Sequence, residues 1–160
     1  KVMSLEGIKP LIAAGHWLPE IKSIAGGVDE FQEPGVMAER IRWEQVLSYA
    51  PDILLLTPCY TGKSSEETME KTLEQLEHLA SQPGWWVIPA VQNRRVFILS
   101  HEMICQAGPQ LVEGVEMLAR ILHPDLFPME LCTGVCLKLN LEAGRTCRPK
   151  QLRQHFSEWR

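Results

Sequence analysis

The sequence predicts an α/β fold: a three-layer sandwich around a mainly parallel sheet, forming a single lobe. Three observations predict it. Amphipathic helical segments alternate with short apolar runs over residues 1–123, the run Ile53-Leu54-Leu55-Leu56 has no inside–outside alternation, and 160 residues suit one domain. A run without alternation marks a strand covered on both faces, as parallel sheets are. Helix and strand periodicities in alternation imply crossover units packed on such a sheet.

The elements follow in order. Residues 2–5 form a short strand candidate, and residues 7–15, with Pro10, read as a loop. Residues 16–25 predict a helix, with Pro19 tolerated in its first turn and Gly26-Gly27 ending it. Residues 28–38 contain Pro34 and Gly35 and read as a short strand followed by an irregular connection. Trp43, Val46, Leu47 and Ala50 share one helical face, and Pro51 stops that helix. The strand at 52–57 follows, with a loop at residues 58–62.

Ser64 and Glu67 have the spacing of a capping box. Met69, Leu73, Leu76, Leu79 and Ala80 then mark an amphipathic helix ending near Ser81. Residues 85–89 cross toward the sheet, Asn93-Arg94 turns, and residues 95–99 make the next strand. After a loop, Gly108-Pro109 opens a helix that buries Leu111, Val112, Val115, Leu118, Ala119 and Leu122 and closes at His123-Pro124. The domain division is therefore a lobe over 1–127 and a cysteine-containing, partly ordered extension over 128–160.

Composition narrows the function classes. Apolar residues make up 45% and charged residues 22%, an ordinary globular balance. Net charge is −4 with no cluster of Lys and Arg, which excludes nucleic acid as a partner because phosphate neutralisation requires concentrated positive charge. No run approaches the roughly 20 apolar residues that span a bilayer. The chain opens on Lys1-Val2-Met3-Ser4-Leu5 without a signal-peptide pattern, as a domain cut from a longer precursor would.

Five cysteines leave an odd thiol, so they do not read as a secreted disulfide framework. Cys59 and Cys105 adjoin apolar segments, where buried free thiols are the plain reading. Cys132, Cys136 and Cys147 cluster in the tail. Cys132 and Cys136 have the spacing of a zinc half-site, but no second close pair completes it, and no metal ligands are assigned.

Ligands of open α/β sheets bind beyond the carboxyl ends of the strands. That rule selects loops containing His16, Trp17, Cys59, Tyr60, His101, Glu102, Met103 and Gln106. Aromatic rings with a few polar groups suit a large, flat, partly apolar ligand. Each has a plainer alternative. Trp17 also reads as closing the core over the first helix, Tyr60 as an exposed loop residue, and His101 and Glu102 as partners of nearby backbone groups. Gly-x-Gly-x-x-Gly, phosphate-loop and Gly-x-Ser-x-Gly motifs are absent from the sequence. A cysteine or metal enzyme built from Cys59, Cys105, His16 and His101 is one alternative function, and a lobe that pairs with another chain is a second.

The order of motifs supplies a resemblance. Gly15-His16-Trp17-x-Pro19-Glu20 precedes Ala25-Gly26-Gly27; Arg42-Trp43-Glu44-Gln45-Val46-Leu47 precedes Ala50-Pro51-Asp52-Ile53-Leu54-Leu55. Residues 85–89, Arg95-Val96-Phe97, Ala107-Gly108-Pro109-Gln110-Leu111-Val112 and residues 118–124 follow. In this order they resemble the C-terminal lobe of the cobalamin and iron-chelate periplasmic substrate-binding proteins of ABC transporters, over residues 1–127. The resemblance implies non-catalytic capture of a cobalamin-like ligand or ferric chelate, with no cofactor required. It implies a periplasmic or extracytoplasmic location and a further, N-terminal lobe facing this one across a cleft. By position it makes Glu44 a docking residue for the membrane permease and places Glu102, Met103 and Gln106 toward the ligand.

Overall fold

A computed structural model describes residues 1–60, 63–127, 136–142 and 145–159. Among the described residues, seven strands form one sheet in the order β3-β2-β1-β4-β5-β6-β7. They are β1 (Val2–Ile8), β2 (Leu11–Ala13), β3 (Glu39–Arg40), β4 (Ile53–Leu56), β5 (Val96–Leu99), β6 (Cys136–Leu139) and β7 (Phe156–Glu158). The parallel part is its centre: Val2 pairs with Ile53 and Leu5 with Leu56, while Leu54 pairs with Val96 and Leu56 with Ile98. The outer pairings are antiparallel. The class is α/β, and the sheet is mixed around a parallel core.

Around it, among the described residues, lie the α-helices α1 (Leu18–Ile24), α2 (Trp43–Tyr49), α3 (Ser65–Ala80), α4 (Pro89–Gln92), α5 (His101–Ile104) and α6 (Gln110–Leu122). The strand pleat divides the core in two. Leu54, Leu56, Val96 and Ile98 meet Val46, Leu76, Leu79 and Trp85 on one face. Ile53, Leu55, Phe97 and Leu99 meet Leu18, Ile21, Leu118 and Ile121 on the other. Both faces of β4 are covered, which is why its sequence lacks alternation.

Several expected elements stand as read. The Glu67 amide donates to Ser64 Oγ at 3.2 Å and the Ser64 amide to Glu67 Oε2 at 3.0 Å, so the capping box opens α3. The helix ahead of Pro51 is α2, closed by Ala50 at φ 50°.

Four segments differ. Residues 7–15 are not a loop: β1 continues to Ile8 and turns through Lys9-Pro10 into β2, because Leu11, Ile12 and Ala13 can pair back on β1. No strand forms at 28–38; that loop meets β1 through the Val2 amide on the Val28 carbonyl at 2.9 Å. Residues 85–87 make a 3₁₀ turn that buries Trp85 against Trp43 and Trp86, at centroid distances of 6.2 and 6.5 Å. Residues 101–104, expected as loop, form α5, and a Cβ on Gly114 of α6 would come within 2.3 Å of the Met103 carbonyl, so α5 sits tightly on α6.

The stretch after Phe127, read from the sequence as an extension, supplies β6 and β7. Phe97 pairs with Lys138 and Leu99 with Cys136. The 3₁₀ segment Pro149–His155 buries Leu152 in the face shared with α3, and Arg153 Nη2 reaches Glu70 Oε1 at 2.5 Å. Trp159 sets its ring edge-on to Phe97 at 5.6 Å. Periodicity missed these strands because they are short and interrupted by polar residues, Lys138 in β6 and Ser157 and Glu158 in β7, where β4 and β5 are unbroken apolar runs. Of the tail cysteines, Cys136 is buried in β6, whereas Cys132, and with it the considered half-site, lies outside the described residues.

Candidate functional site at the strand ends

The three parallel strands β1, β4 and β5 end side by side, and a cleft of about 190 Å³ opens there between Glu6, Gly15, His16, Trp17, Leu18, Cys59 and Cys105. Local backbone features aim these groups. The β1–β2 register shifts between Leu5 and Gly7, leaving Glu6 at a bulge, and bulges re-aim side chains beside functional sites. The Thr57 amide donates to the Leu5 carbonyl at 2.8 Å and the Cys59 amide to the Glu6 carbonyl at 3.2 Å. The parallel ladder thus runs past the end of β4 and holds Cys59 over the cleft.

His16 takes a left-handed backbone, φ 59°, uncommon for a residue with a side chain. Two hydrogen bonds hold it: its amide donates to the Val36 carbonyl at 2.6 Å, and its carbonyl accepts from the Gly35 amide at 2.8 Å. Gly15 allows this clamp, since a Cβ there would lie 2.4 Å from the Val36 carbonyl oxygen. Trp17 precedes α1 and donates its indole N–H to the Ile104 carbonyl at 2.8 Å, tying α1 to α5. Its ring lies 5.8 Å from that of His16. Trp17 therefore both packs against the core and lines the cleft.

Burial governs the electrostatics. It raises the Glu6 carboxyl above its ordinary range, an effect that nearby His16 opposes. It raises the Cys59 thiol, and Glu6 adds to the rise. Cys105 is pushed up to about 12, first by burial and then by Cys59 and Glu6, while its Sγ donates to the Thr57 carbonyl at 3.7 Å. Neutral thiols of this kind are poor nucleophiles, because the thiolate is the reactive form.

The expected site residues separate into groups. His16, Trp17 and Cys59 share the cleft. Tyr60 lies against α3, its hydroxyl donating to Gln75 Oε1 at 2.9 Å and its ring covered by Lys71 Nζ at 3.8 Å. His101 is half-buried at the start of α5 with Nδ1 buried and unbonded among the described residues. Met103 packs on the core near Trp17, while Glu102 and Gln106 are exposed. Glu44 is exposed in the first turn of α2. Glu6 and Leu18 were missed as cleft residues; a carboxylate within an otherwise apolar strand was the signal available for Glu6. Among the described residues no three His, Cys, Asp or Glu side chains are placed to hold a metal ion, and no helix is long and apolar enough to cross a membrane.

A single α/β unit with its cleft at the strand ends has the architecture of a ligand-binding lobe. The family model for periplasmic binding proteins matches residues 2–103, and the chain belongs to that family. The family-level resemblance drawn from the motifs therefore holds. The family consists of substrate-binding proteins rather than enzymes.

The chain is 30% identical over 84 residues to an uncharacterized ABC transporter substrate-binding lipoprotein, YvrC, of Bacillus subtilis, covering 52% of this chain and 22% of that protein. It is 26% identical over 121 residues to the vitamin B12-binding protein of Vibrio cholerae, covering 71% of this chain and 37% of that protein. The crystal structure of a TroA-like periplasmic binding protein, FepB, from Veillonella parvula superposes with a TM-score of 0.60 at 19% identity, over 79% of this chain and 40% of that one. The chain thus spans well under half the length of each.

Proposed function

We propose that the strand-end cleft is one wall of a binding site for a cobalamin-like or metal-chelate ligand, and that the chain acts as the C-terminal lobe of a transporter's substrate-binding protein. The observation that carries this reading is the convergence of Glu6, His16, Trp17 and Cys59 at the ends of three adjacent parallel strands. The indole of Trp17, fixed by its bond to Ile104, offers a preorganised aromatic surface to a flat ligand. A cleft of about 190 Å³ is smaller than the roughly 300–1,000 Å³ of sites that enclose a drug-sized ligand, so a facing lobe is needed to bury a macrocycle. The relative named for vitamin B12 binding agrees with this ligand class.

Tyr60, His101, Glu102, Met103 and Gln106 belong to the rim of the proposal, within reach of a ligand larger than the cleft. Glu44, exposed at the start of α2, is the proposed contact with the permease, and the proposed location is extracytoplasmic. Aquocobalamin and a ferric chelate, titrated into the chain joined to its preceding lobe, test the reading through tryptophan fluorescence. Saturable quenching that is lost in Trp17→Phe is expected; the absence of quenching by both ligands would overturn it. Glu44→Lys is expected to leave ligand quenching intact and to weaken capture by the detergent-solubilised permease. Unchanged capture would remove Glu44 from the interface.

A further inference from the structure

We propose that Cys59 and Cys105 form a reversible dithiol–disulfide pair across the mouth of the strand-end cleft, a modification site that takes small-molecule disulfides such as oxidised glutathione as oxidant. The two residues lie on the C-terminal extensions of neighbouring strands, Cys59 after β4 and Cys105 at the end of α5, which follows β5. The two segments meet at the cleft, where burial and the neighbouring Cys59 both raise the Cys105 thiol. Cys105 Sγ already rests 3.7 Å from the Thr57 carbonyl oxygen, and only Pro58 separates Thr57 from Cys59. Both thiols are free and both line the one cleft. A disulfide joins Cα atoms about 4.4–6.8 Å apart, so closing the bond requires the two residues to meet within the cleft they share.

Their exposures differ in the way a two-step exchange requires. Cys59 is exposed and Cys105 is half-buried. The Cys59 thiolate attacks one sulfur of oxidised glutathione, forming a mixed disulfide and releasing one glutathione thiolate. The Cys105 thiolate then attacks the Cys59 sulfur, closing the intrachain bond and releasing the second glutathione. The two protons leaving the protein thiols end on the two glutathione thiols, and the two electrons lost by the protein reduce one glutathione disulfide. Reduced glutathione in excess reverses both steps. Burial holds both thiols above their ordinary values, so the exchange is slow at neutral pH and quickens about tenfold per pH unit below the Cys59 thiol's value.

The pairing stands whether or not the cleft takes a chelate, and its test needs no chelate. The purified chain is incubated with oxidised glutathione at alkaline pH and mapped by non-reducing peptide mass spectrometry. A Cys59–Cys105 peptide two hydrogens lighter than its reduced parts is expected, together with weaker acrylamide quenching of the Trp17 component, defined by comparison with Trp17→Phe. Cys105→Ser is expected to stop at a stable glutathione adduct on Cys59. A stable adduct on Cys59 in the unaltered chain, or pairing of either residue with Cys147 or Cys136, would each overturn the proposal.

Discussion

Lys22 and Asp29 form an ion pair sealed inside the protein, with the lysine side chain 0% and the aspartate 3% exposed. Asp29 also accepts hydrogen bonds from the Phe31 amide at 2.9 Å and the Gln32 amide at 3.3 Å. The pair therefore anchors α1 to the loop whose Val36 carbonyl and Gly35 amide hold His16. A buried charge that never meets the cleft thus shapes one of its walls.

Asp29→Ala leaves Lys22 buried without its counter-charge. Loss of one partner of a buried pair costs about 3–5 kcal/mol, and urea denaturation is expected to show a loss of that order. Near-UV circular dichroism is expected to change in the Trp17 region. A loss below about 1 kcal/mol, the value of an exposed pair, would show that water reaches the site.

Glu6 gives a pH dependence of defined sign. Its folded carboxyl is raised by burial, so between its unfolded and folded values the folded chain keeps a proton that the unfolded chain has lost. Its contribution to stability is therefore fully present below the unfolded value and is lost as pH rises through the folded one. Thermal melts across the weakly acidic to neutral range are expected to show this fall, and Glu6→Gln to flatten it. Superimposable profiles would place Glu6 in full solvent.

Gly15→Ala drives a Cβ into backbone, 2.4 Å from the Val36 carbonyl oxygen and 2.6 Å from the Ala38 nitrogen. Overpacking of this kind costs about 1–3 kcal/mol and is expected to release the His16 clamp. Gly35 sits at φ 80° with nothing within 4 Å of an added Cβ, so Gly35→Ala carries backbone strain alone and serves as the comparison. Equal losses in the two variants would argue against the close approach at Gly15.

The C-terminal stretch is expected to be required for folding. Trp159→Ala removes the ring that meets Phe97, and truncation of a buried aromatic costs about 3–5 kcal/mol. Leu152→Ala is expected to cost about 2–5 kcal/mol. A chain ended at Phe127 is expected to lose cooperative unfolding, since β5 would lose its β6 partner. A sharp transition in that shortened chain would show that residues 1–127 fold without the C-terminal extension.

The parts of the fold legible in the sequence were those with strong local signals. The Ser64–Glu67 box fixes the start of α3, and Ile53–Leu56 advertises a strand covered on both faces. What escaped depends on partners distant in the chain. β2 and β6 are strands because β1 and β5 have free edges to receive them, and neither carries a periodic pattern long enough to read. The cleft was half legible: the strand-end rule selects Trp17, His16 and Cys59, but Glu6 enters through a bulge whose only sequence sign is a carboxylate within an apolar strand. Tyr60 shows the converse, a loop aromatic whose hydroxyl finds Gln75 on the neighbouring helix instead.

The sheet's outermost strands carry a consequence of their own. At one margin β3 is only Glu39 and Arg40, both exposed, and at the other β7 is Phe156–Glu158, ending on a carboxylate. Open margins are templates on which a second chain can add its own backbone, and short, charged terminal strands are a recognised defence against it. The apolar, unbroken strands that would polymerise most readily, β4 and β5, lie at the interior of the order. β6 thus acts as a guard: it covers the edge of β5 that a second chain could otherwise pair with.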